Sequence, residues 1–271
     1  MERKIPSDIQ QLLIITRYEI VKHLRSKRLL GMMAIELAIF VLILAIPPLL
    51  GGGFPDNGAE FAERFYTWTK ILLIIGATFF AGDAIVSEFQ NRTGYLTFPN
   101  PVKRWVLFMG KLTATMGIMV AVVLVYYGLV SASSLAIVGE VSGLTAISLG
   151  LALLFALCAS GIGYVVSAFM KGSTGSLVLT FTLLFLLFPI VEGVLSIAKV
   201  RPDFSPTFSA DAIQYVMQDP YPPHSTVIPT PQGEFIQYIP YVDIAVVVMI
   251  VYAVASIVLG ILLFNRKEMA A

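Results

Sequence analysis

The sequence has few charged residues for its length. Only 13% of its 271 residues are Asp, Glu, Lys or Arg, whereas 57% are hydrophobic and the mean hydropathy is +0.84. A soluble domain carries about 25% charged residues, because its surface must be polar. This deficit excludes a soluble globular protein and indicates a membrane protein. The net charge of +1 gives no sign of a nucleic-acid partner, and we expect none.

Residues and motifs for catalysis and metal binding are scarce as well. The single cysteine, Cys158, excludes a disulfide within the chain, and the two histidines, His23 and His224, lie far apart in sequence. The chain contains neither a G-x-x-x-x-G-K-[ST] phosphate loop nor an H-E-x-x-H zinc motif. An intramembrane aspartyl protease needs two aspartates within spans, and only Asp83 is a good candidate. We therefore predict no enzyme activity, no metal, no cofactor and no ATP site in this chain.

Long apolar runs are what the sequence has in abundance. A membrane-spanning helix needs about 20 mostly apolar residues. Six segments meet this requirement, and we predict an all-α membrane protein with six transmembrane helices in one transmembrane domain, 1–271. The predicted spans are 29–50, 65–86, 106–130, 144–169, 177–198 and 244–264.

Residues 7–28 are predicted to form a separate helix before the first span. Ser7 can cap it, and Gln10 three residues later completes a capping box. A basic amphipathic helix beside a span is expected to lie in the headgroup layer. The alternative is a solvated extension of the first span. The residues at helical spacing are Ile9, Leu12, Thr16, Ile20 and Leu24.

The distribution of basic residues predicts the orientation. An even number of spans puts both termini on one side, and that side carries most of the 18 Lys and Arg residues. The positive-inside rule makes that side cytoplasmic, so we predict a multi-pass protein of the cell membrane with both termini in the cytoplasm. Residues 87–105 then form a cytoplasmic loop and 199–243 an extracytoplasmic loop. The basic residues predicted on the outer side are Arg64, Lys70, Lys199 and Arg201.

The outer loop is predicted to be a stiff, folded cover, because it holds eight of the 15 prolines. Within it, "SADAIQYVMQ" predicts a short amphipathic helix that begins on a capping serine, Ser209. Its spacing puts Ile213, Val216 and Met217 on one face.

Three acidic residues in or near the spans are candidates for a translocation path: Glu36, Asp83 and Glu192. Ionisable residues within a membrane are costly, so each suggests a function by default. The alternative for Glu36 is a protonated or hydrogen-bonded carboxyl that packs helices together, and Glu192 can reach the outer headgroups. Pro189, just before Glu192, removes a backbone donor and predicts a kink in the fifth span.

The loop 87–105 is long and polar for a simple connection. The sequence "SEFQNRTGYLTFPNPVKRWVLFMGK" resembles the cytoplasmic loop of permeases of the type-2 ATP-binding-cassette (ABC) transporter family. In that family an acidic residue ends the second span, a Gly-Thr turn and leucines follow, and Pro-Val-x-Arg precedes a Gly-Lys pair. Here the Gly-Thr order is reversed and Pro99 is additional. The matching residues are Glu88, Thr93, Gly94, Leu96, Pro101, Val102, Lys103, Arg104, Gly110 and Lys111.

The resemblance covers the whole chain, including the N-terminal helix, the six spans, the outer loop and the basic tail. It implies a coupling helix that docks into a groove on a separate ATPase subunit, with Tyr95, Leu96 and Phe98 in the groove and Lys103 and Arg104 at its rim. Residues 170–176 would make a second, smaller contact. The alternative is a basic loop that lies beside lipid headgroups.

The resemblance further implies a permease subunit, an exporter, that works as a pair with two ATPase subunits. The pair is two copies or two related chains in membrane lipid, and the ATPases bind ATP and Mg. Some relatives instead transmit ATP-driven motion to an extracytoplasmic maturation partner. A rival class is an ion-coupled secondary transporter, in which Glu36 is the ion site and no ATPase is needed.

Overall fold

The six predicted membrane helices are present in the structure, a computed structural model that describes residues 6–90, 102–230 and 233–267. Six helical stretches in these ranges are long and apolar enough to cross a bilayer, so the prediction of an all-α membrane protein with six transmembrane helices is confirmed. The elements are α1 (Asp8–Leu24), α2 (Lys27–Leu49), α3 (Gly58–Tyr66), α4 (Thr69–Ala81), α5 (Val86–Gln90), α6 (Arg104–Ile137), α7 (Leu144–Phe169), α8 (Ser173–Ile197), α9 (Pro206–Ser209), α10 (Ala212–Tyr215), β1 (Ser225–Thr230), β2 (Gly233–Tyr238) and α11 (Val242–Arg266).

Helix α1 begins with the predicted capping box. The Ser7 hydroxyl accepts from the Gln10 backbone amide, and the Gln10 side chain accepts from the Ser7 amide. The predicted stripe is only partly correct, because Ile9 and Leu24 are exposed. Thr16 of that stripe does face α6, and Glu19, which is not in the stripe, lies on the same side of α1.

The second span is not one helix. It runs from Gly58 to Gln90 as α3, α4 and α5, with breaks at Thr67–Trp68 and at 82–85. The sequence prediction, 65–86, missed α3 because that helix is amphipathic and charged on its outer side. Its other side buries Phe61, Phe65 and Tyr66 against the bundle.

Helix α7 lies at the centre of the bundle, and its bounds coincide with the predicted span 144–169. Two thirds of its most apolar stretch, 67%, is buried against α4, α6 and α11. Small residues permit this close packing: a Cβ at Gly163 would lie 3.0 Å from the Ala81 Cβ of α4.

Helix α8 contains a π-helical turn at Leu183–Leu187, directly before Pro189. Proline has no backbone N–H, so a helix that contains it needs an irregular hydrogen-bonding pattern nearby. A π turn at this place was not predicted, and the predicted kink at Pro189 stays a prediction.

The segment between α8 and α11 is folded over one end of the bundle. The Lys70 ammonium of α4 donates to Asp211, and Ser148 of α7 donates to the Ile213 carbonyl at 2.7 Å. Ile213, Val216 and Met217 are buried, as predicted for one face of a short helix. Ser209 does not cap that helix, because it belongs to α9. The antiparallel hairpin β1–β2 was not predicted.

The two ends of the bundle differ. At the basic end, α1 and the start of α6 meet the last residues of α7 and α11. The opposite end carries α3 and the folded segment before α11. Between them, α2, α8 and α11 expose apolar side chains, with 17%, 11% and 22% of their most apolar stretches buried. Such an outer surface is what a lipid bilayer requires.

Candidate functional site

The loop 87–105, which is predicted to couple to an ATPase, can be located by its two ends. Six of its predicted residues, Thr93, Gly94, Tyr95, Leu96, Phe98 and Pro101, lie outside the described residues. On its N-terminal side α5 ends at Gln90, and on its C-terminal side α6 begins at Arg104. The candidate site is therefore built from the described residues that fix these two helix ends.

A buried lysine of α6 joins both ends to the N-terminal helix. Lys111 is only 2% exposed, and its ammonium lies 2.7 Å from Glu88 Oε1 of α5 and 2.5 Å from Glu19 Oε1 of α1. Lys22 of α1 adds a bond of 3.1 Å to Glu19 and lies 3.9 Å from Glu88. We call these four residues the Lys111 network.

Electrostatics favour the charged form of this network. Burial alone raises the pKa of Glu19, but the positive charges of Lys111 and Lys22 outweigh it and hold the pKa below its usual value. A buried cation between two carboxylates has its desolvation cost offset only while all partners stay in place. The network therefore holds α1, α5 and α6 in one fixed arrangement.

Close backbone approach brings Glu19 within reach of Lys111. The Thr16 hydroxyl donates to the Gly110 carbonyl at 3.1 Å, and a Cβ at Gly110 would lie 2.8 Å from Ile15 Cγ2. The Gly110-Lys111 pair thus has two roles. The absence of a side chain at Gly110 lets α1 approach α6 closely, and Lys111 forms an ion pair with Glu19 of α1.

Lys103 and Arg104 make contacts within the chain. Lys103 forms an exposed ion pair with Asp8 at 2.6 Å. Arg104 Nη1 donates to the carbonyls of Phe264, Asn265 and Lys267 at 3.0, 2.8 and 2.8 Å. Since a cation at a helix C-terminus satisfies free carbonyls and the helix dipole, Arg104 caps α11. Their predicted contact with an ATPase stays a prediction.

Asp83 belongs to the same end of the bundle. It is 6% exposed and receives two hydrogen bonds from Arg28 of α2, at 2.7 and 2.8 Å. Directly after it, the backbone amides of Ile85 and Val86 both donate to Ser167 Oγ at 2.9 Å. The irregular turn between α4 and α5 is therefore tied to α2 and α7.

A charged cavity of about 510 Å³ separates α1 from the α4–α5 turn. Its walls carry both signs of charge, and the His23 ring meets the edge of Phe80 at a centroid distance of 5.5 Å. Burial lowers the pKa of His23 to about 4, so the imidazole is neutral at physiological pH. The charged or titratable residues in the cavity wall are Glu19, Lys22, His23, Arg28, Asp83 and Glu88.

The predicted second contact, 170–176, packs beside α5. The Ser173 amide donates to Gln90 Oε1 at 2.7 Å, and the Ser176 hydroxyl donates to the Gly82 carbonyl. The segment therefore lies next to the end of α5, the helix that precedes residues 91–101.

The three translocation-path candidates lie in different surroundings. Glu36 is enclosed in the bundle, among α2, α4 and α6. Asp83 is paired at the basic end, and Glu192 at the opposite end accepts hydrogen bonds from the Ser205 and Thr207 hydroxyls. The described residues do not bring the three carboxyls together into one lining.

The sequence did not predict the ion pairs at the basic end, Arg28 with Asp83 and Lys111 with Glu19 and Glu88. Lys111 was named only as part of the Gly-Lys motif. One signal was available for Lys111: it stands inside the predicted span 106–130, where an ionisable residue needs a partner. Which acid would supply that partner follows only from the packing of α1 on α6.

Comparison with known proteins gives no assignment, since no family model matches the chain and no curated protein matches it. A functional proposal must therefore be argued from the geometry at the basic end and from the resemblance of the loop sequence. Both concern the same short stretch, residues 86–111.

Proposed function

We propose that this chain is the permease subunit of an ABC transporter of the type-2 family, an exporter driven by a separate ATPase. The observation that carries the proposal is the Lys111 network. It fixes the helices on both sides of residues 91–101 to each other and to α1. Because the helices at both ends of residues 91–101 are held by buried charges, a protein that binds this segment could move the bundle through it. We call this segment the handle.

The contacts around this handle support transmission of force. A force applied to the segment would act directly on α5 and α6, and the ion pairs of Lys111 would transmit it to α1. Arg104 extends the connection to the end of α11, and Gln90 extends it to Ser173 at the start of α8. Interactions between charges are strong in a low-dielectric interior, so these helix ends move as one unit.

The proposal implies a set of partners. Two ATPase subunits bind ATP and Mg and dock at the basic end. On this proposal the chain spans the cell membrane and its basic end faces the cytoplasm. A second permease, a copy or a related chain, completes the transporter in membrane lipid. The permease itself supplies movement and a path and takes no part in the chemistry of ATP.

A second candidate is supported by the opposite end of the bundle. There the segment before α11 is folded, and Arg201 stacks on the Tyr241 ring at 4.1 Å while donating to the Ile239 carbonyl. A structured cover of this kind suits contact with an extracytoplasmic maturation partner, to which the chain would transmit ATP-driven motion.

The test uses the full chain and a candidate ATPase subunit, for which the first choice is a protein with Walker motifs encoded next to this chain. Leu96→Asp puts a charge into the proposed docking surface, where an unpaired charge is costly to bury, and Gly94→Val restricts the backbone there. Val227→Asp, on the hairpin at the opposite end, is the matched control because Val227 is 55% exposed. We expect at least a tenfold loss of ATPase co-purification, or of permease-stimulated ATP hydrolysis, in the first two variants only.

Three outcomes distinguish between ATPase docking, transmission of motion to an outer partner and ion-coupled transport. Wild-type binding and stimulation in both loop variants would refute the proposed docking. Loss of function in Val227→Asp with intact ATPase binding would favour transmission to an outer partner. Substrate movement in vesicles that lack any ATPase would favour the ion-coupled secondary transporter.

A further inference from the structure

Glu36 is buried without the partners that a charged group needs. It lies in the middle of α2, it is 1% exposed, and neither carboxyl oxygen forms a hydrogen bond of normal geometry with the described residues, although the Tyr126 backbone lies nearby. An ionised carboxylate without a partner costs several kcal/mol or more to bury. The carboxyl therefore needs something that neutralises it.

The space beside Glu36 is small and enclosed. The cavity measures about 10 Å³ and lies between α2, α4 and α6. This volume lies at the lower limit of the roughly 10–15 Å³ that a single water molecule needs, so the cavity holds one water at most. The Thr69 hydroxyl of α4 lines the same cavity and is 2% exposed. It forms no hydrogen bond of normal geometry within the described part of the chain, although the Tyr127 hydroxyl lies nearby.

The other polar groups that face the cavity are already engaged. The Tyr126 hydroxyl of α6 donates to the Phe65 carbonyl at 2.8 Å. The Tyr127 hydroxyl donates to Ser148 Oγ at 2.8 Å, since Ser148 gives its own proton to a backbone carbonyl. From α3, Tyr66 stacks on the Tyr127 ring but does not line the cavity. No Lys, Arg or His of the described residues lines the cavity.

The rest of the wall is apolar, made of Met32, Leu72, Leu73, Met119, Val122 and Val123. A metal cation would find only two carboxyl oxygens and one hydroxyl here, whereas Mg²⁺ and Ca²⁺ take about six or more oxygen ligands. A proton needs no such shell.

We propose that Glu36 is a buried proton-binding site, in which the protonated carboxyl and the Thr69 hydroxyl share one enclosed water molecule. The carboxyl donates to the water oxygen, and the water donates to Thr69 Oγ1. Release breaks the carboxyl O–H bond: the carboxylate keeps the electron pair, and the proton leaves on a water molecule as hydronium.

Release requires that water reaches the cavity, which is closed in this arrangement. Helix α2 is the wall best able to move, because only 17% of its most apolar stretch is buried. The site therefore binds its proton when α2 is packed on α4 and α6 and can lose it when α2 separates. The inference stands whether or not an ATPase drives that separation.

Infrared spectroscopy of the full chain in lipid nanodiscs tests the site. At neutral pH the wild-type protein is expected to show a C=O stretch of a neutral carboxyl that is absent from Glu36→Gln. Thr69→Val keeps Glu36 but removes the hydroxyl, so the band should persist at a shifted frequency. Thr78→Val is the matched control on α4, because its hydroxyl is bonded to the Ile74 carbonyl.

The results have clear consequences. A neutral-carboxyl band of equal intensity in wild type and Glu36→Gln, or none in either protein, would overturn the proposal. A band that disappears on addition of sodium or potassium at constant pH would indicate a cation site instead. If Glu36→Gln fails to fold, a shift in Thr69→Val without one in Thr78→Val supports the site, and equal spectra in those two variants count against it.

Discussion

Lys111 is the residue on which the basic end depends most. Replacing it by methionine keeps the length of the side chain but leaves Glu19 and Glu88 buried without their cation. Removal of one member of a buried ion pair costs on the order of 3–5 kcal/mol. We expect Lys111→Met to lower the unfolding temperature in detergent markedly.

A triple variant provides the control for that measurement. Combining Lys111→Met with Glu19→Gln and Glu88→Gln removes both unpaired charges, so most of the lost stability should return. If Lys111→Met is as stable as the wild-type protein, the three side chains do not form the network that the structure shows.

His23 makes stability depend on pH. Burial lowers its pKa from 6.5 to about 4; Glu19 raises it, and Lys22, Lys111 and Arg28 lower it further. At a pH between these two pKa values, the unfolded chain binds a proton at His23 that the folded chain does not bind. The free energy of unfolding should therefore be highest above about pH 6.5 and fall as the pH drops towards 4.

The measurement compares unfolding temperatures of wild type and His23→Gln at about pH 7.5 and about pH 5. The acid-induced loss should be clearly smaller in His23→Gln. The pKa of Glu19 is lowered, so its stabilising contribution is lost only below its usual value of 4.5 and does not enter this window. Equal losses in the two proteins would contradict a buried, neutral His23.

Single residues were predictable where the sequence supplies a local rule. The capping box of Ser7 and Gln10 depends on four consecutive residues, and it formed as predicted. Glu88 was found through the loop motif, but its partners were not. Glu19 lies 92 positions from Lys111, and nothing in the sequence between them indicates that α1 folds back onto α6.

At the scale of elements, the contact of α1 with α6 can be tested through two glycines. A Cβ at Gly110 would lie 2.8 Å from Ile15 Cγ2 and 3.3 Å from the Leu12 carbonyl oxygen, so α1 would have to shift. A Cβ at Gly117 would meet only Ile20 Cδ1, at an ordinary 3.8 Å. Both changes to alanine raise helix propensity alike, by roughly 1 kcal/mol.

Hydrogen–deuterium exchange distinguishes the two variants. We expect faster exchange of the α1 amides in Gly110→Ala and no change in Gly117→Ala, with α7 protected in both. Unchanged exchange of α1 in Gly110→Ala would mean that the helix is held by something other than this close approach.

Elements were predictable where hydrophobicity alone determines them. The spans of α2, α6, α7, α8 and α11 were found because about 20 apolar residues have few alternatives in a bilayer. The breaks in the second span and the π turn of α8 were not, because they arise from packing and from hydrogen bonds across the chain. The hairpin was missed because its strands depend on pairing with each other.

At the scale of the whole molecule, the two ends have different chemistry. The basic end is tied together by ion pairs and by Arg104 and Lys267, whose ammonium donates to the Ser167 and Met170 carbonyls. Burial lowers the pKa of Lys267 to about 8. The opposite end is tied by the folded segment before α11. In the transport cycle proposed above, we expect α2 and α8 to be the helices that move, because the least of their apolar stretches is buried, 17% and 11%.

Orientation in the membrane is the prediction on which the functional proposal depends at this scale. Cysteines at Lys27 and Lys103 report the basic end, and Lys103 is well suited because its side chain is 62% exposed and its ion pair with Asp8 contributes little to stability. A cysteine at Thr226, exposed on the hairpin, reports the opposite end. The native Cys158 is buried and should not react with the labelling reagent.

A membrane-impermeant maleimide applied to intact cells should label the Thr226 site only. The same reagent on inverted vesicles should label the Lys27 and Lys103 sites only, because the excess of Lys and Arg holds that end in the cytoplasm. Labelling of Lys103→Cys in intact cells would put the basic end outside. Residues 91–101, which lie between two helices anchored at that end, would then be out of reach of any cytoplasmic ATPase. The transport proposal would fail with them, whereas the proton site at Glu36, enclosed within the bundle, would be unaffected.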